Sequence, residues 1–487
     1  MPFEDLLSNL ALLGGLLLTA FSIWTAGHAL IRKRSPRSAA AWVGVCLMFP
    51  AVGASLYWLL GQNRIFRRAQ KLQDRFPTRE ELDSASKVEA ELLQEVARSE
   101  RELESLLAMA RTGDAATTYP LTTGNHLEPL RNGEEAYPAM LGAIAKATET
   151  VDIATYLFDG SRTIDDFTRA LRDARTRGVE VRVLLDGLGD LIGRSTARRN
   201  LERAGITVAR FLPPSISERG LHINLRNHRK LLIVDGRVAF TGGMNLRDVH
   251  EVVRQPAGAW RARDLHFRVR GPVAAHLERV FDEDWAFSTR TQVVDRPSRA
   301  EIVAGDARTR VIPDGPDADR DALKWCVIGA INAARHSVRL QTPYFIPPEE
   351  LEAALISANL RGVVVRIMLP GTTDHRFAHW AARAMVGDLL RRGVEIRLQP
   401  APFVHTKLLV IDDAYSLVGS ANMDPRSLRL NFELGLSVYD RDLARDLATH
   451  FDTDWSISED LTHTSLSTAP LWRRIRNNCA RLAAPYL

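Results

Sequence analysis

Two long stretches near the start of the chain contain no charged residue. They are residues 6–31 and 38–60, and the four basic residues Arg32, Lys33, Arg34 and Arg37 lie between them. A membrane-spanning helix needs about 20 apolar residues, so both stretches are long enough. The first is too long for the apolar part of a signal peptide, and its basic residues follow it rather than precede it. The pattern predicts a membrane region, residues 1–62, with two transmembrane helices.

The basic residues around the second stretch place conflicting demands on its topology. The loop before it is basic, and so is the segment after it, which contains Arg64, Arg67, Arg68 and Lys71. Cytoplasmic loops of membrane proteins are enriched in Lys and Arg. Two complete spans cannot place both clusters on one side, so either the second segment is re-entrant or one cluster overrides the other. The rest of the chain is expected on the cytoplasmic side of a bacterial inner membrane.

Helical periodicity continues after the membrane region. Residues 63–115 are predicted to contain an amphipathic connecting helix, because apolar residues such as Leu92, Val96 and Leu103 recur at helical spacing. At the other end, residues 461–487 combine Trp472 and Ile475 with several arginines, which predicts a basic amphipathic helix on a membrane surface.

Between these segments the same pattern occurs twice. Residues 116–295 alternate helical segments with the short apolar runs VDIATYLF, VRVLLDG and TVARFL, and residues 319–460 do so with VRLQTPYF, VVRIMLPG and EIRLQP. Such alternation predicts an α/β sandwich with a largely parallel sheet in each repeat. The two repeats are expected to pack face to face. Residues 296–318 are polar and contain three prolines, so they are predicted to be the linker.

Each repeat contains one copy of the spacing His-x-Lys-x-x-x-x-Asp. The copies are His228, Lys230 and Asp235, and His405, Lys407 and Asp412. Alternate residues of a strand face the same side, so the His and Lys of each copy point together. One copy alone is typical of a structural pair on a strand. Because the unit is duplicated, we expect one shared site at the interface between the repeats, with each Asp holding a turn at its strand end.

Matching polar and small residues follow both copies. They are Gly243, Asn245 and Asp264 after the first copy, and Ser420, Asn422 and Glu433 after the second. The small residues allow close approach of the backbone, and the asparagines can donate hydrogen bonds. The two acids are the candidates for orienting the histidine rings, since a catalytic imidazole needs a partner on its second nitrogen.

Two imidazoles and two ammonium groups suit attack on a phosphodiester. Lysines stabilise the negative charge of the transition state, one histidine attacks phosphorus, and the other acts as acid and then as base. The lysines would repel a cation, so neither a metal nor another cofactor is expected. The net charge of +5 predicts an anionic partner. The apolar N-terminal stretches favour membrane lipid over nucleic acid.

The paired motif resembles the phospholipase D superfamily, and the whole chain resembles bacterial cardiolipin synthases. The shared features are two N-terminal hydrophobic segments, the TPYF segment and the run GSANMDPRSLRLNFELGLSVYD. The resemblance implies a metal-free transfer in which two phosphatidylglycerols become cardiolipin and glycerol through a phosphatidyl-histidine intermediate. It implies that the two motifs are catalytic, with His228 as nucleophile and His405 as acid and base.

Other functions share parts of this pattern. A phospholipase D hydrolase and a phosphatidylserine synthase-like transferase use the same chemistry and differ only in the acceptor. A nuclease of the superfamily fits less well, because of the two hydrophobic spans. A membrane scaffold with an inactive site is disfavoured, because both copies keep His, Lys and Asn. The sequence makes no prediction of the oligomeric state.

Overall fold

The computed structural model describes residues 3–33, 36–58, 89–214, 216–217, 220–221, 225–294, 296–315 and 321–482 of the 487-residue chain. The chain divides into two compact units. The small unit comprises residues 1–72 and 214–223, and the large unit comprises residues 73–213 and 224–487.

The described residues of the small unit form three helices: α1 (Phe3–Arg32), α2 (Pro36–Met48) and α3 (Val52–Leu56). Among the described residues, one helical stretch, Leu12–Arg32, is long and apolar enough to cross a membrane. Helix α2 packs on α1 through an apolar cluster that includes Ala26, Ala29 and Trp42.

The second apolar stretch does not form one continuous helix within the described residues. It is interrupted after α2 at Pro50, and Ala51 has a φ of +65°. A Cβ added to Gly53 would lie only 2.2 Å from the carbonyl oxygen of Val45. Residues eight apart on a straight helix are separated by about 12 Å along the axis, so the chain turns back on itself here. The predicted second transmembrane helix is therefore not confirmed, and residues 59–62 of the predicted membrane region lie outside the described part.

The large unit begins with the segment predicted to be the connecting helix. Residues 63–88 lie outside the described residues. The described part contains α4 (Glu100–Ala116), which begins at Ser99, where the side chain accepts a hydrogen bond from the backbone N–H of Glu102. An N-cap of this kind ends any helix that precedes it, since the capping residue has an extended backbone.

The first repeat alternates strands and helices. Its elements are β1 (Thr122–Arg131), α5 (Asn132–Lys146), β2 (Thr150–Thr155), β3 (Phe158–Asp159), α6 (Ser161–Thr176), β4 (Glu180–Asp186), α7 (Gly187–Ile192), α8 (Thr196–Arg203), β5 (Thr207–Phe211), β6 (Ile216–Ser217) and β7 (Gly220–Leu221) in the small unit, β8 (Leu231–Val234), β9 (Val238–Gly242), β10 (Leu246–Arg247), β11 (Ala262–Arg263), β12 (Leu265–Arg270) and α9 (Val273–Thr289).

The second repeat follows the same order. Its elements are β13 (Ala307–Asp314), α10 (Ala322–Ala333), β14 (Ser337–Gln341), α11 (Glu349–Leu360), β15 (Val364–Pro370), α12 (Arg376–Arg391), β16 (Glu395–Gln399), β17 (Phe403–Val404), β18 (Leu408–Ile411), β19 (Tyr415–Gly419), β20 (Glu433–Tyr439), α13 (Arg441–Ser456), β21 (Glu459–Asp460), α14 (His463–Ser467) and α15 (Leu471–Leu482).

One sheet of 15 strands runs through both repeats, in the order β21-β16-β15-β14-β18-β19-β20-β13-β1-β12-β9-β8-β2-β4-β5. Strand β13 joins the repeats, because it pairs antiparallel with β20 on one side and with β1 on the other. The repeats are therefore joined edge to edge at β13, a connection that the sequence did not predict, while residues from both repeats also line one apolar core. Residues 307–314 belong to the predicted linker, yet they form β13. This strand pairs with the free N–H and C=O groups of β1 in the first repeat and of β20 in the second.

The sheet is mixed rather than largely parallel. The outer strands of each repeat are parallel, as in β2, β4 and β5 or in β14, β15 and β16, but the central strands are antiparallel. Tight hairpins between β8 and β9 and between β18 and β19 explain the difference, since a short turn can join only antiparallel strands. Asp235 and Gly236 form the first turn with φ values of +53° and +63°, as an Asp-Gly hairpin requires.

An apolar core is shared by the two repeats. It includes Leu231 and Phe267 from the first repeat, Leu408 and Leu434 from the second, and Val311 from the joining strand. Since the strands that follow both His-x-Lys segments contribute to this core, the two motifs are held by one packed body.

Candidate active site

The backbone of each motif is fixed by the other repeat. The N–H of His228 donates to the carbonyl oxygen of Phe432 at 2.8 Å, and the N–H of His405 donates to that of Arg263 at 2.8 Å. Phe432 and Arg263 each lie next to one of the acids named by the sequence, Glu433 and Asp264. Each His-x-Lys segment therefore runs beside the acid of the opposite repeat.

The histidine–acid pairs are consequently crossed between the repeats. Nδ1 of His228 lies 3.0 Å from Oε2 of Glu433, and Nδ1 of His405 lies 2.8 Å from Oδ2 of Asp264. Both carboxylates are fully buried. Each acid holds Nδ1 of its ring and leaves Nε2 for chemistry. The sequence indicated these two acids but not which histidine each would contact.

The difference between Gly243 and Ser420 follows from the two acids. The Ser420 hydroxyl donates to Oε2 of Glu433 at 2.5 Å, and Asn431 donates to its other oxygen at 3.1 Å. In the first repeat, a Cβ at Gly243 would lie 2.3 Å from Oδ1 of Asp264. A side chain at this position therefore supports the glutamate in one repeat and would displace the aspartate in the other.

Both motif lysines lie inside the cluster rather than at its surface. Lys230 and Lys407 are only 2% and 5% exposed. Nζ of Lys230 donates to the carbonyl oxygen of His228 at 2.6 Å, and Nζ of Lys407 lies 2.9 Å from Nδ1 of His405. Two buried ammonium groups beside two imidazoles form a pocket for an anion.

Burial and neighbouring positive charges lower the pKa values of the histidines and lysines in this cluster. Burial lowers the pKa of Lys230 to about 7 and that of Lys407 to about 8. The ammonium group of Lys407 also lowers the pKa of Lys230, and that of Lys230 lowers the pKa of both histidines. Burial likewise lowers the pKa of His228, and lowers that of His405 well below its usual value, with Lys407 adding to the effect. A phosphodiester in the pocket would reverse these shifts, because its negative charge favours the protonated forms.

The two asparagines occupy equivalent positions with different contacts. The amide oxygen of Asn245 accepts a hydrogen bond from the backbone N–H of Leu157 at 3.2 Å. The amide oxygen of Asn422 is buried and has no hydrogen-bond partner within the described residues. Of the two amide oxygens, only that of Asn422 therefore lacks a hydrogen-bond partner among the described residues.

The motif aspartates lie at the far ends of their strands and do not join the cluster. Asp235 accepts hydrogen bonds from the backbone N–H groups of Thr148, Glu149 and Thr150 at 2.7–3.0 Å. Asp412 binds three successive N–H groups, those of residues 335–337, in the same way at 2.8 Å. Although burial acts in the opposite direction, the hydrogen bonds to Asp235 lower the pKa of its carboxyl group. Both aspartates therefore tie the hairpin to the start of a neighbouring strand.

Two tyrosines complete the cluster, and sequence reasoning did not select them. The ring centroid of Tyr156 lies 5.3 Å from that of His228, and the ring centroid of Tyr344 lies 6.5 Å from that of His405. The available signal was their place shortly after equivalent strands, one residue after β2 for Tyr156 and three residues after β14 for Tyr344. Only Tyr344 has a hydrogen bond to an acid, because its hydroxyl donates to Asp374 at 2.6 Å.

Arg229, between His228 and Lys230, links the repeats and was also missed. Its guanidinium donates to Asp284 of α9 at 2.6 Å, and to the carbonyl oxygens of Glu433 and Asp314 at 2.9 and 3.1 Å. The last two belong to the second repeat. A cation at this position therefore fixes the strand that carries Glu433, the partner of His228.

Replacing Arg229 with Met is expected to lower the free energy of unfolding by about 3–5 kcal/mol, since it leaves the buried carboxylate of Asp284 without its ion pair. Thermal denaturation of the purified protein would measure this. The exposed, ion-paired Arg279 offers a matched control, and Arg279→Met is expected to change stability by less than about 1 kcal/mol. Equal effects of the two substitutions on stability would contradict the conclusion that Arg229 fixes the strand that carries Glu433.

The described residues contain no group of three His, Cys, Asp or Glu side chains arranged to hold a metal ion. The ligand types that a metal would use here, His228, His405, Asp264 and Glu433, are engaged with one another, and two ammonium groups lie among them. The donor set fits an anion rather than a cation.

Two α/β repeats that bring two His-x-Lys pairs into one buried cluster define a protein of the phospholipase D type. Comparison with known families agrees. The model described as "Cardiolipin synthase, PLD-like domain" matches residues 140–285 and 327–455, and the model of the phospholipase D–nuclease N-terminal region matches residues 20–62.

Individual relatives extend over nearly the whole chain. The major cardiolipin synthase ClsA of Bacillus subtilis is 31% identical, covering 98% of this chain and 100% of its own length. The cardiolipin synthase of Oceanobacillus iheyensis is 32% identical over 94% and 95%. The chain belongs to the cardiolipin synthase family of the phospholipase D superfamily and is a phosphatidyltransferase of the phospholipase D type.

A solved structure shares the fold. The phosphatidylserine synthase of Haemophilus influenzae matches with a TM-score of 0.57 and 14% identity, covering 78% of this chain and 100% of that one.

Proposed function

We propose that this protein transfers the phosphatidyl group of one phosphatidylglycerol to a second, giving cardiolipin and glycerol. The crossed cluster carries the proposal: two histidines, each held by the acid of the other repeat, lie with two lysines in one anion pocket. The full-length likeness to cardiolipin synthases supports phosphatidylglycerol as both donor and acceptor.

In the first step, Nε2 of neutral His228 attacks phosphorus. The bond from phosphorus to the glycerol oxygen breaks, and Nε2–H of His405 gives its proton to that oxygen. The bound phosphodiester raises the pKa of His405, which is otherwise low, so this ring becomes protonated where the proton is needed. Lys230 and Lys407 stabilise the charge on the phosphoryl oxygens.

In the second step, His405 accepts a proton from a glycerol hydroxyl of the second phosphatidylglycerol. The oxygen attacks phosphorus, the phosphorus–nitrogen bond breaks, and His228 leaves as the neutral ring. Glu433 and Asp264 keep the two Nδ1–H groups in place throughout. In this proposal the asparagines position the phosphoryl group, and Asp235 and Asp412 support the strands.

The function is tested by incubating the purified, reconstituted protein with phosphatidylglycerol that is labelled both in its head-group glycerol and in its acyl chains. Cardiolipin and free glycerol are expected in equal amounts, with activity unchanged by excess chelator. Phosphatidic acid as the main lipid product would indicate hydrolysis instead, and a product formed only with added serine would indicate a phosphatidylserine synthase.

For the membrane region we propose that α1 spans the bilayer and that the second segment is re-entrant. The turn at Pro50 and the contact of Gly53 with Val45 support a segment that returns to its starting side. This arrangement puts both basic clusters and the large unit on the cytoplasmic side, as the charge distribution favours. The proposed domains are otherwise those of the sequence, with residues 296–318 supplying β13 in addition to the connection.

Cysteines at positions 37 and 303, each in a chain with Cys479→Ser, are therefore expected to react with a membrane-impermeant thiol reagent only after cells are permeabilised. Position 303 is exposed in the large unit, and the remaining cysteines, Cys46 and Cys326, are buried and provide no background. Labelling is read by mass shift in the Arg37→Cys and Val303→Cys variants. Reaction at position 37 in intact cells, with position 303 still protected, would show that the second segment crosses completely.

The value of kcat/KM is expected to fall as pH rises through about 7–8. The pKa values of Lys230 and Lys407 are lowered to about 7 and about 8, so both lysines lose in this range the charge that binds phosphate. Activity is also expected to fall in acid, at a pH below the usual imidazole range, where His228 begins to protonate before substrate binds, because burial lowers the pKa of its ring. A pH–rate profile on one lipid mixture checks this, and a rate that rises steadily to pH 9 would contradict it.

A further inference from the structure

The C-terminal helix α15 does not stand alone in the structure. It packs against α12, and Ala480 is buried together with Ala378, Ala381 and Ile346. The two helices therefore present one combined outer surface, which we call the α12–α15 face. It consists of Phe377 and Trp380 of α12 and the exposed residues of α15.

This face exposes large apolar side chains at unusual density. On α15, Leu471, Trp472, Ile475 and Leu482 are 54–82% exposed, and Phe377 on α12 is 58% exposed. Positions 471, 475 and 482 share one side of the helix, because their spacing follows the helical repeat. A contiguous apolar stripe of this kind on a protein surface marks a contact with something apolar.

The charged residues of α15 have one sign, although the acid Glu352 of α11 lies near Arg481. Helix α15 contains Arg473, Arg474, Arg476 and Arg481 and no acidic residue. The Arg476 guanidinium lies 4.4 Å from the ring centroid of Trp380 and 5.3 Å from that of Trp472. Arginines interleaved with Trp, Leu and Ile match the boundary between anionic headgroups and acyl chains.

The same face is connected to the catalytic cluster by direct contacts. Tyr344, whose ring centroid is 6.5 Å from that of His405, donates its hydroxyl to Asp374 at 2.6 Å. Its ring also packs against His375, at 6.1 Å, immediately before α12 begins. Tyr344 adjoins the apolar cluster that contains Ala480. One tyrosine thus separates His405 from the helix pair.

We propose that the α12–α15 face docks on a bilayer containing anionic phospholipid and holds the His405 side of the active site beside the lipid headgroups. The proposal rests on the proposed function, because it gives the route by which membrane phosphatidylglycerol reaches the cluster. A contact between two protein chains is the competing use of an exposed apolar face. The four arginines of α15, a helix with no acid of its own, favour the membrane, since two copies would bring like charges together.

Cys479 provides a probe at the centre of the stripe. It is the exposed one of the three cysteines and lies four residues after Ile475, on the same side of the helix. We would label it with a fluorophore in the full chain, reconstituted in nanodiscs of phosphatidylglycerol and phosphatidylcholine. Quenching by a nitroxide on the lipid chains is expected, with little quenching by aqueous iodide. In the Trp472→Glu/Ile475→Glu variant, strong quenching by iodide and little quenching by the nitroxide are expected.

This measurement needs no catalytic activity, so it remains decisive if the proposed function fails. Strong iodide quenching in the unsubstituted chain would overturn the proposal. Protection from both quenchers, with dimers in the same discs, would assign the face to a second copy and overturn it as well.

Activity then tests the link to the active site. Trp472→Glu/Ile475→Glu is expected to lower transfer at least about tenfold on bilayer phosphatidylglycerol, and to leave unchanged the transfer on a short-chain phosphatidylglycerol kept below its micelle concentration. The matched control is Ile302→Glu/Val303→Glu, which changes two residues that are 85% and 72% exposed in the connection before β13. This control is expected to retain both activities.

The pattern of lost activity on the two substrates separates the docking proposal from the proposed transfer function. Equal loss on bilayer and monomeric substrate would mean that the face acts on the active site itself and not on the membrane, and unchanged activity on both would mean that the face is dispensable. Either result overturns the proposed docking. Absence of transfer by the unsubstituted protein on both substrates would instead contradict the proposed function, and leave the docking proposal to the quenching result.

Discussion

Alanine in place of either His228 or His405 is expected to lower turnover of phosphatidylglycerol by about ten-thousandfold or more. Each ring has a separate role that no neighbour can take over: one forms the bond to phosphorus, and the other moves the proton. In enzymes whose catalytic groups act as a unit, loss of one member costs nearly as much as loss of all. Equal, near-complete loss from two histidines 177 positions apart in sequence would place both rings at one phosphorus atom.

The measurement is transfer by purified variants at saturating lipid, together with thermal denaturation to show that each variant is folded. His463, an exposed histidine in α14, is the control, and His463→Ala is expected to keep full activity. Acid-quenched enzyme should carry the phosphatidyl label on the peptide that contains His228. Near-normal turnover in either variant would refute the shared-site mechanism, and label on the His405 peptide would reverse the two roles.

Removing the charge of the crossed acids is expected to give the second-largest effect. Glu433→Gln and Asp264→Asn should each lower transfer by about a hundredfold to ten-thousandfold, because each leaves Nδ1 of one histidine without its orienting carboxylate. Because each acid contacts the histidine of the other repeat, the Asp264→Asn variant is expected to resemble His405→Ala, although Asp264 belongs to the same repeat as His228.

A donor with an activated leaving group, phosphatidyl-p-nitrophenol, separates the two phenotypes, because p-nitrophenolate leaves without a proton. Release of p-nitrophenol in a single turnover should be restored in Asp264→Asn and His405→Ala. It should stay absent in His228→Ala and slow in Glu433→Gln. Asp446→Asn, at an exposed aspartate, serves as control. If Asp264→Asn failed on this donor as His228→Ala does, each acid would serve the histidine of its own repeat.

The crossed arrangement also explains why the two repeats form one functional body. Each motif backbone pairs with the segment that precedes the acid of the other repeat, and Arg229 binds the carbonyl oxygen of Glu433. Separating the repeats would therefore remove the partner of both histidines at once. Neither repeat alone contains both members of either pair between a motif histidine and its acid.

Local chemistry made much of the active site readable from the sequence. The spacing of His228 and Lys230 placed both on one side of a strand, because side chains alternate along any extended chain. Asp235 was predicted to hold a turn at its strand end, and the turn forms there because Asp235 and Gly236 tolerate the left-handed backbone that a tight hairpin needs. These properties depend on a few neighbouring residues and on nothing distant.

The sheet was read less well, for a reason visible in two elements. The polar, proline-containing stretch 296–318 indicated a linker, yet Ala307–Asp314 is the central strand, since its pairing is set by two distant edges. The second apolar stretch had the length of a transmembrane helix, yet it turns back at Pro50. Composition reports how apolar a segment is, and the path of the chain decides what that segment contacts.

The sequence by itself determined the repeated unit, its two His-x-Lys pairs, and the family to which the chain belongs, because these are matters of residue type and spacing. Only the tertiary structure decided that the repeats join edge to edge, that Glu433 holds His228 while Asp264 holds His405, and that Tyr344 connects His405 to the helix pair of the α12–α15 face. Those relations join residues that are far apart in the sequence, by 205 positions for His228 and Glu433 and by 141 for His405 and Asp264, and packing and hydrogen bonding between distant strands select them.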